Sequence, residues 1–283
     1  DWYVVQAIRA LLALGDSDFT PVFSGGTSLL KGHGLIKRFS EDIDFKLALS
    51  AAFTGLTQNQ QRKHLGVFRD KLAAFWATAG FTNIKVESRS GNSFLRIEMD
   101  YPTILGAHAS LRPHILAELS AKPPALEPVE CQIASFVAQF RGADPEVAAI
   151  ACIDPVETAA DKLSAFAWRA IARDRNSAND DPTIVRHLHD LAALEAVVVA
   201  SKNFPPLLAA ILTADTLRGG GAVRDLPPHE RFEALLITVA RDPAYPGEYR
   251  QFVESMAFAG ASEVPDFDQA MLALTRLCAM LPP

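Results

Sequence analysis

Hydrophobic and polar positions follow two different patterns along the chain. In the N-terminal half, helical spacing at Trp2–Leu14 and at 60–79 is interleaved with short strand-like runs at 21–23, 43–47, 85–87, 93–99 and 114–120. Apolar runs of this length that alternate with polar residues are typical of strands, and strands mixed with helices indicate a mixed sheet. The first half is therefore predicted to be α/β.

The strand pattern ends near residue 152. Beyond it, apolar residues recur at helical spacing in four segments, separated by proline or glycine clusters, at 157–173, 183–199, 231–240 and 267–280. This pattern predicts helices throughout. We therefore expect an α/β domain at 1–152 and a helical domain at 153–283.

Composition and charge argue against several classes of protein. The 283 residues carry a formal net charge of −6, which argues against a protein that binds nucleic acid over its whole surface and requires a local basic patch for any RNA contact. No apolar run is long enough to cross a membrane, and the first residues lack a signal-peptide pattern. The cysteines are odd in number and far apart, and the histidines form no metal-binding motif, so a reduced, cytoplasmic protein without a zinc knuckle is expected.

A glycine pair marks the first candidate for chemistry. Gly25 and Gly26, followed by Thr27 and Ser28, come directly after the apolar run at 21–23. Glycines at a strand-to-helix junction let the backbone approach an anion, and the N–H groups of the helix start then point at it. The alternative is an ordinary helix start, and neither a Walker A loop nor a dinucleotide fingerprint is present.

Two aspartates form the second candidate. Asp42 and Asp44 alternate with Ile43 and Phe45, so both carboxylates project from one face of a predicted strand. Two carboxylates at such a short distance repel each other unless a cation such as Mg²⁺ lies between them. The alternative is a solvated edge strand, which would show the same alternation. A phosphate-binding loop followed by a metal site is the combination that nucleotidyl transfer requires.

Together these segments resemble a known signature. Two stretches, 25–31 and 38–45, resemble the motifs of the AbiEii/MenT nucleotidyltransferase toxins. The second stretch reads Arg-Phe-Ser-Glu-Asp-Ile-Asp-Phe. The resemblance implies a polymerase-β-like α/β (α+β) nucleotidyltransferase domain with a mixed sheet, and an all-helical C-terminal domain that completes the active-site cleft. It further implies two Mg²⁺ ions, an NTP substrate, the 3′ end of tRNA as acceptor and a cognate antitoxin, with no membrane or DNA partner.

Two later segments extend the resemblance. Lys162-Leu163-Ser164-Ala165 matches a helical family motif, and the stretch 186–191 matches another, with His189 in place of tyrosine. Lys162 lies on an apolar helical face, where a lysine either extends its ammonium to solvent or meets an anion. Asp190 lies among leucines and needs a cationic partner, for which Lys162 and Arg186 are the candidates.

The resemblance assigns roles to these positions. It implies catalytic roles for Asp42, Asp44, Lys162 and Asp190, nucleotide binding by Gly25, Gly26, Thr27, Ser28, Lys31 and Arg38, and metal binding by Asp42, Asp44 and Glu118. For the third acid, Glu98 and Asp100 are alternatives to Glu118.

Three questions stay open on the sequence. Arg169, Arg173 and Arg186 form either an RNA-binding patch or a set of helix salt bridges. Ser40 is either a regulatory phosphorylation site beside the metal or the cap of a turn. Transfer to a protein hydroxyl and non-catalytic nucleotide binding are the alternative functions.

Overall fold

The structure, a computed structural model, describes residues 1–103, 114–216, 220–260 and 263–282. The chain divides into two compact units. Unit 1 contains Asp1–Gly34 and Ser40–Asp154, and unit 2 contains Leu35–Phe39 and Pro155–Pro283. The segment 35–39 thus belongs with the C-terminal half, which hydrophobic spacing did not indicate.

Unit 1 alternates helices and strands. Its strands are β1 (Phe19–Ser24), β2 (Ile43–Leu49), β3 (Thr82–Arg89), β4 (Phe94–Asp100), β5 (His114–Ser120), β6 (Val129–Ile133) and β7 (Val147–Cys152). Its helices are α1 (Trp2–Leu14), α2 (Gly25–Lys31), α3 (Ala51–Thr54), α4 (Gln58–Thr78) and α5 (Phe136–Arg141). The prediction of an α/β first half is confirmed, although β6, α5 and β7 were not predicted.

The strands form one mixed sheet in the order β3-β4-β5-β2-β1-β7-β6. The pairs β2–β5 and β1–β7 are parallel, and the other neighbours are antiparallel. Parallel pairing joins strands far apart in sequence, because such strands need a long crossover connection. The centre of the sheet therefore brings together residues from both ends of unit 1.

The core of unit 1 lies between this sheet and helices α1 and α4. Helix α4 starts with a capping box, in which the Thr57 backbone N–H donates to Gln60 Oε1 at 3.0 Å. Its apolar stripe buries Trp76 completely, and the indole N–H donates to the Ala7 carbonyl of α1 at 3.0 Å. This hydrogen bond satisfies the one polar atom of a large buried ring.

Unit 2 is built around one central helix. Helix α6 (Pro155–Ile171) contacts α7 (Arg186–Val199), α8 (Phe204–Ala214) and α10 (Pro228–Arg241), and α12 (Phe267–Cys278) contacts α7. The remaining elements are a 3-10 turn at Pro182–Val185, the short α9 (Gly221–Arg224) and α11 (Ala244–Met256). Within the described residues no helix is both long and apolar enough to cross a membrane.

An extended segment complicates the prediction of an all-helical second domain. Arg38 pairs with Ala257 in an isolated antiparallel bridge. Two backbone hydrogen bonds flank this bridge: the Phe39 N–H donates to the Met256 carbonyl at 2.9 Å, and the Phe258 N–H donates to the Lys37 carbonyl at 3.1 Å. These bonds satisfy backbone groups just beyond the end of α11. They also place the Arg38 side chain in unit 2.

Candidate active site

Three strands of unit 1 carry a row of polar side chains across one face of the sheet. Asp44 of β2 is in register with Glu118 of β5 on one side and with Ser24 of β1 on the other. Residues in register on neighbouring strands point to the same face, with strands about 4.8 Å apart. Asp42 lies two residues before Asp44, immediately ahead of β2, and the shared face of the two carboxylates stays a prediction.

The sheet order separates the three candidates for the third acid. Glu98 and Asp100 lie on β4, which β5 separates from β2, whereas Glu118 lies on the strand next to Asp44. Arg96 of β4 contacts Glu98 at 2.9 Å and Glu118 at 3.9 Å. Of the three acids, Glu118 is thus the direct neighbour of Asp44 in the sheet.

Gly25 packs directly against Asp44. The chain passes from β1 into α2 without a loop, and Gly25 has a positive φ of 74°. A β-carbon at this position would lie 2.8 Å from Asp44 Cγ, and closer still to Oδ2. Only glycine accommodates both this conformation and this approach. The glycine pair of the sequence motif therefore holds the start of α2 against the carboxylate.

Thr27 ties α2 to the segment that leads into β2. Its side chain is fully buried, its hydroxyl donates to the Asp42 carbonyl, and its Oγ1 lies 3.0 Å from Ser40 Oγ. The next residue, Ser28, is also buried and faces the thiol of Cys152. These two hydroxyls point at protein atoms, so their predicted contact with nucleotide phosphates stays a prediction.

Lys31, at the end of α2, has contacts within unit 1. Its ammonium group donates to the Ala134 carbonyl at 3.2 Å, lies 4.3 Å from the centre of the Phe136 ring and forms an ion pair with Asp1. Burial lowers the pKa of Lys31 to about 8, against the opposing charge of Glu146. Its predicted role in nucleotide binding stays a prediction.

Unit 2 contains a buried ion cluster around Asp190. Arg38 Nε donates to Asp190 Oδ1 at 2.7 Å and Arg38 Nη2 to Oδ2 at 2.6 Å, while Lys162 Nζ lies 2.8 Å from Oδ2. The predicted pairing of Asp190 with Lys162 is confirmed. The other candidate, Arg186, contacts Asp181 at 2.9 Å instead. One carboxylate thus holds two cations from distant parts of the sequence.

The two cations decide the charge state of Asp190. Complete burial by itself raises the pKa of the carboxyl group, but the charges of Arg38 and Lys162 and the hydrogen bonds from Arg38 and His189 hold that pKa well below its ordinary value. At His187, burial and the nearby positive charges act in the same direction, and together they lower the pKa of the imidazole well below its ordinary value. Asp190 is therefore ionised and His187 neutral near neutral pH.

The arginines predicted to contact RNA lie in ion pairs of unit 2. Arg173, whose side chain is 7% exposed, contacts Asp180 at 2.7 Å and Glu248 at 2.8 Å, and Arg186 is paired with Asp181. Arg169 is 3.9 Å from the same Asp181 carboxylate. These contacts correspond to the salt-bridge alternative. Contact with RNA stays a prediction for all three residues.

Sequence reasoning missed the partner of Arg38. The structure places this side chain in two hydrogen bonds with Asp190 and only 5% exposed. Its predicted role in nucleotide binding stays a prediction. The two residues are 152 positions apart, and no local pattern links them. The signal that was available is the apolar surroundings of Asp190, which call for a cationic partner but do not identify Arg38.

The three candidate metal ligands of unit 1 are all carboxylates, but among the described residues their oxygens do not form a group of three within 4.8 Å of one another. Asp42, Asp44 and Glu118 offer oxygen ligands only, which suits a hard cation such as Mg²⁺ better than a soft transition metal. Gly25 leaves no side chain of its own beside the Asp44 carboxylate. The chemistry of the donor atoms therefore fits a divalent metal such as Mg²⁺.

Comparisons with known proteins agree with this chemistry. A family model described as "Nucleotidyl transferase AbiEii toxin, Type IV TA system" matches residues 8–273. The solved structure of MenT4, a nucleotidyltransferase toxin from Mycobacterium tuberculosis H37Rv, matches with a TM-score of 0.50 and 19% identity over 99% of this chain and 93% of that chain. At this identity the match supports the mixed α/β fold alone. No curated protein sequence matches the chain.

Proposed function

The chain belongs to the AbiEii family of nucleotidyltransferase toxins, and on this basis we propose that it transfers a nucleoside monophosphate from an NTP to the 3′ hydroxyl of tRNA. Nucleotidyltransferases in general use an NTP and divalent metal ions, and we assign Mg²⁺ to this protein. Addition of a nucleotide to the 3′ end would block aminoacylation and stop translation, which accounts for toxicity.

The packing of Gly25 against Asp44 is the observation that carries the proposal. A phosphate group and a metal-binding carboxylate must lie within a few ångströms of each other for nucleotidyl transfer. The β-carbon position of Gly25 is 2.8 Å from Asp44 Cγ, so the start of α2 lies next to this carboxylate within one compact unit, which supports the proposal. We propose that Gly25 and Gly26 hold the β- and γ-phosphates through their backbone N–H groups.

The carboxylates and the lysine have separate roles in this proposal. Asp42, Asp44 and Glu118 would hold Mg²⁺, which when bound supplies positive charge to the phosphates and lowers the barrier to attack by the acceptor hydroxyl. Lys162 would neutralise negative charge on the triphosphate. Asp190 would hold the Lys162 ammonium in place, because the two groups lie 2.8 Å apart and the carboxylate is ionised.

Membership in a type IV toxin–antitoxin family implies a cognate antitoxin. We propose that the antitoxin suppresses transfer. Ser40 is a position at which it could act by phosphorylation, because Ser40 Oγ lies 3.0 Å from the Thr27 hydroxyl that holds the Asp42 backbone. A phosphate there would add about two negative charges beside the metal ligands.

A protein hydroxyl is the second candidate acceptor. Two observations favour it: the net charge of −6, and the ion pairs that already engage Arg173 and Arg186. RNA binding depends on cations that can exchange counterions at phosphates, and a paired arginine contributes less to it. The same phosphate and metal sites would serve either acceptor.

The test uses each of the four α-labelled NTPs with deacylated tRNA, and in parallel with tRNA whose terminal diol has been oxidised. We expect label on the intact tRNA alone, and a loss of transfer on the order of 100-fold or more in Asp42→Asn and Asp44→Asn. Asp100→Asn is the matched control, because Asp100 lies on β4 with its carboxylate 2.8 Å from the Asn83 amide. Label on protein but not on tRNA would select the second acceptor, and full activity of both aspartate variants would refute the metal assignment.

A further inference from the structure

A histidine and two cysteines that are distant in sequence meet at one point of unit 1. His33 follows α2, Cys131 lies on β6 and Cys152 ends β7. One ligand atom from each of the three lies within 4.8 Å of the other two, and His33 Nδ1 is 3.9 Å from Cys131 Sγ. Sequence analysis predicted no zinc site because these residues form no local motif.

The spacing suits a tetrahedral thiolate site. Zn²⁺ binds sulfur at about 2.3 Å and imidazole nitrogen at about 2.0 to 2.1 Å, which puts the ligand atoms about 3.6 to 3.8 Å apart. The 3.9 Å between His33 Nδ1 and Cys131 Sγ exceeds this by a few tenths of an ångström, and the other pairs lie within 4.8 Å. Cys131 and His33 are both partly exposed, which leaves their side chains room to rotate toward an ion.

The orientation of His33 is the second observation. Its Nε2 lies 3.0 Å from the Ile153 carbonyl oxygen, which can only accept a hydrogen bond. Nε2 therefore carries the proton, and the Nδ1 lone pair faces Cys131. A metal-binding histidine is typically held in this way, with its other ring nitrogen donating to a carbonyl or carboxylate.

Ser28 provides a third, independent observation. Its hydroxyl is 1% exposed, faces Cys152 and has no hydrogen-bond partner of regular geometry among the described residues. A thiol is a weak acceptor, but a metal-bound thiolate is a strong one. An ionised Cys152 would therefore satisfy a buried polar group that is otherwise costly.

Gly32 permits the close approach of these groups. A β-carbon at Gly32 would lie 3.0 Å from Cys152 Sγ and 3.4 Å from Cys131 Cβ. Its backbone is right-handed, with φ of −83°, so glycine is required here for space and not for conformation. The end of α2 is thereby packed directly onto the edge of the sheet.

From this geometry we propose that His33 Nδ1, Cys131 Sγ and Cys152 Sγ bind a zinc ion, with water in the fourth position. Binding releases the thiol protons of both cysteines to solvent. The soft sulfur donors separate this site from the oxygen-only set at Asp42, Asp44 and Glu118. The ion would fix the C-terminal end of α2 to β6 and β7, and so stabilise the helix whose first residue packs against Asp44.

The experiment measures metal content and absorption, and it does not depend on transfer activity. The full chain is produced in zinc-supplemented medium, its zinc is counted, and the ion is exchanged for Co²⁺. We expect one zinc per chain and a thiolate-to-cobalt charge-transfer band in the near ultraviolet. Cys131→Ser, Cys152→Ser and His33→Gln should each weaken zinc binding at least about 100-fold. The matched control, Cys278→Ser in α12, should bind as the unchanged protein does.

Wild-type protein keeps the test decisive even where a variant fails to fold. Added zinc should raise the unfolding temperature of the chelator-treated protein in a concentration-dependent way. Two outcomes would overturn the proposal. One is a wild-type chain with no zinc, no cobalt band and two freely reactive thiols; the other is formation of a Cys131–Cys152 disulfide with no metal binding in the reduced protein.

Discussion

Replacement of Asp190 by asparagine tests the buried ion cluster most directly. The substitution keeps the shape of the side chain but removes its charge. Two largely buried cations then lose the carboxylate that pairs with them, since the Arg38 side chain is 5% exposed and that of Lys162 is 11% exposed. Asp190 accepts from Arg38 at 2.6 and 2.7 Å and from Lys162 at 2.8 Å, distances typical of charge-assisted hydrogen bonds.

The expected loss of stability follows from the burial of the ion cluster. Each charge-assisted bond contributes about 1.5 to 3 kcal/mol, but the gain is partly offset by the cost of removing the ions from water. Loss of one member of a buried pair costs about 3 to 5 kcal/mol, so we expect Asp190→Asn to lower the free energy of unfolding of unit 2 by that amount. In Asp190→Asn/Lys162→Met one of the two buried cations is gone as well, and the double variant should recover about 1 to 3 kcal/mol.

Urea unfolding of the full chain, followed by circular dichroism, measures these differences. The matched control is Asp181→Asn, which removes a carboxylate that is 43% exposed and paired with Arg186 at 2.9 Å. An exposed pair of this kind contributes about 1 kcal/mol or less. A loss below about 1 kcal/mol in Asp190→Asn would refute the reasoning, because an isolated surface pair would give the same result.

The pH dependence supplies a second measurement on the same variants. The pKa of Asp190 is lower in the folded protein than in the unfolded chain, so its contribution is fully present above the unfolded value of about 3.9. The contribution is lost only as the pH falls through the lower, folded value. The difference in stability between wild type and Asp190→Asn should therefore stay constant from about pH 7 to about pH 5.

Substitutions at three further positions address the proposed chemistry. Gly25→Ala should reduce transfer on the order of 100-fold or more, because the new methyl group displaces Asp44. The control is Gly142→Ala, where φ is also positive at 62° but no atom lies within 4 Å of the new carbon, so this variant should lose only about 1 kcal/mol of stability. Lys162→Ala should lower the kcat of transfer far more than it lowers stability, and Lys162→Arg should rescue poorly; unchanged turnover would remove the lysine from the mechanism. Ser40→Asp should lose most transfer activity while Ser40→Ala stays near wild type, and equal activities would leave Ser40 with only its contact to Thr27.

Local patterns predicted the elements whose neighbours are close in sequence. The amphipathic stretch Trp2–Leu14 is α1, and the alternation around Asp44 is β2. The helical spacing at 183–199 predicted one helix, but the structure begins it with a 3-10 turn and starts α7 at Arg186. The missed strands, β6 and β7, are short and pair at the edge of the sheet, where half-exposed residues weaken the period-two signal.

The candidate site shows more clearly that local patterns do not predict contacts between segments that are distant in sequence. Alternation alone predicted that Asp42 and Asp44 share a face, because both belong to one short segment. It could not choose between Glu118, Glu98 and Asp100, because that choice depends on which strand lies beside β2. The parallel pairing of β2 with β5 joins residues 74 positions apart, Asp44 with Glu118, and no periodicity within either strand encodes it.

The segment from Arg38 to Asp42 shows why one sequence motif needs more than one physical explanation. Its first residue is fixed in unit 2 by two hydrogen bonds to Asp190. Its last residue is fixed in unit 1, where the buried Thr27 hydroxyl donates to the Asp42 carbonyl. Arg38 and Asp42 therefore contribute to a contiguous motif for different reasons, one as the partner of a buried carboxylate and the other as a candidate metal ligand. A substitution at Arg38 should consequently lower stability first, and one at Asp42 should lower transfer first.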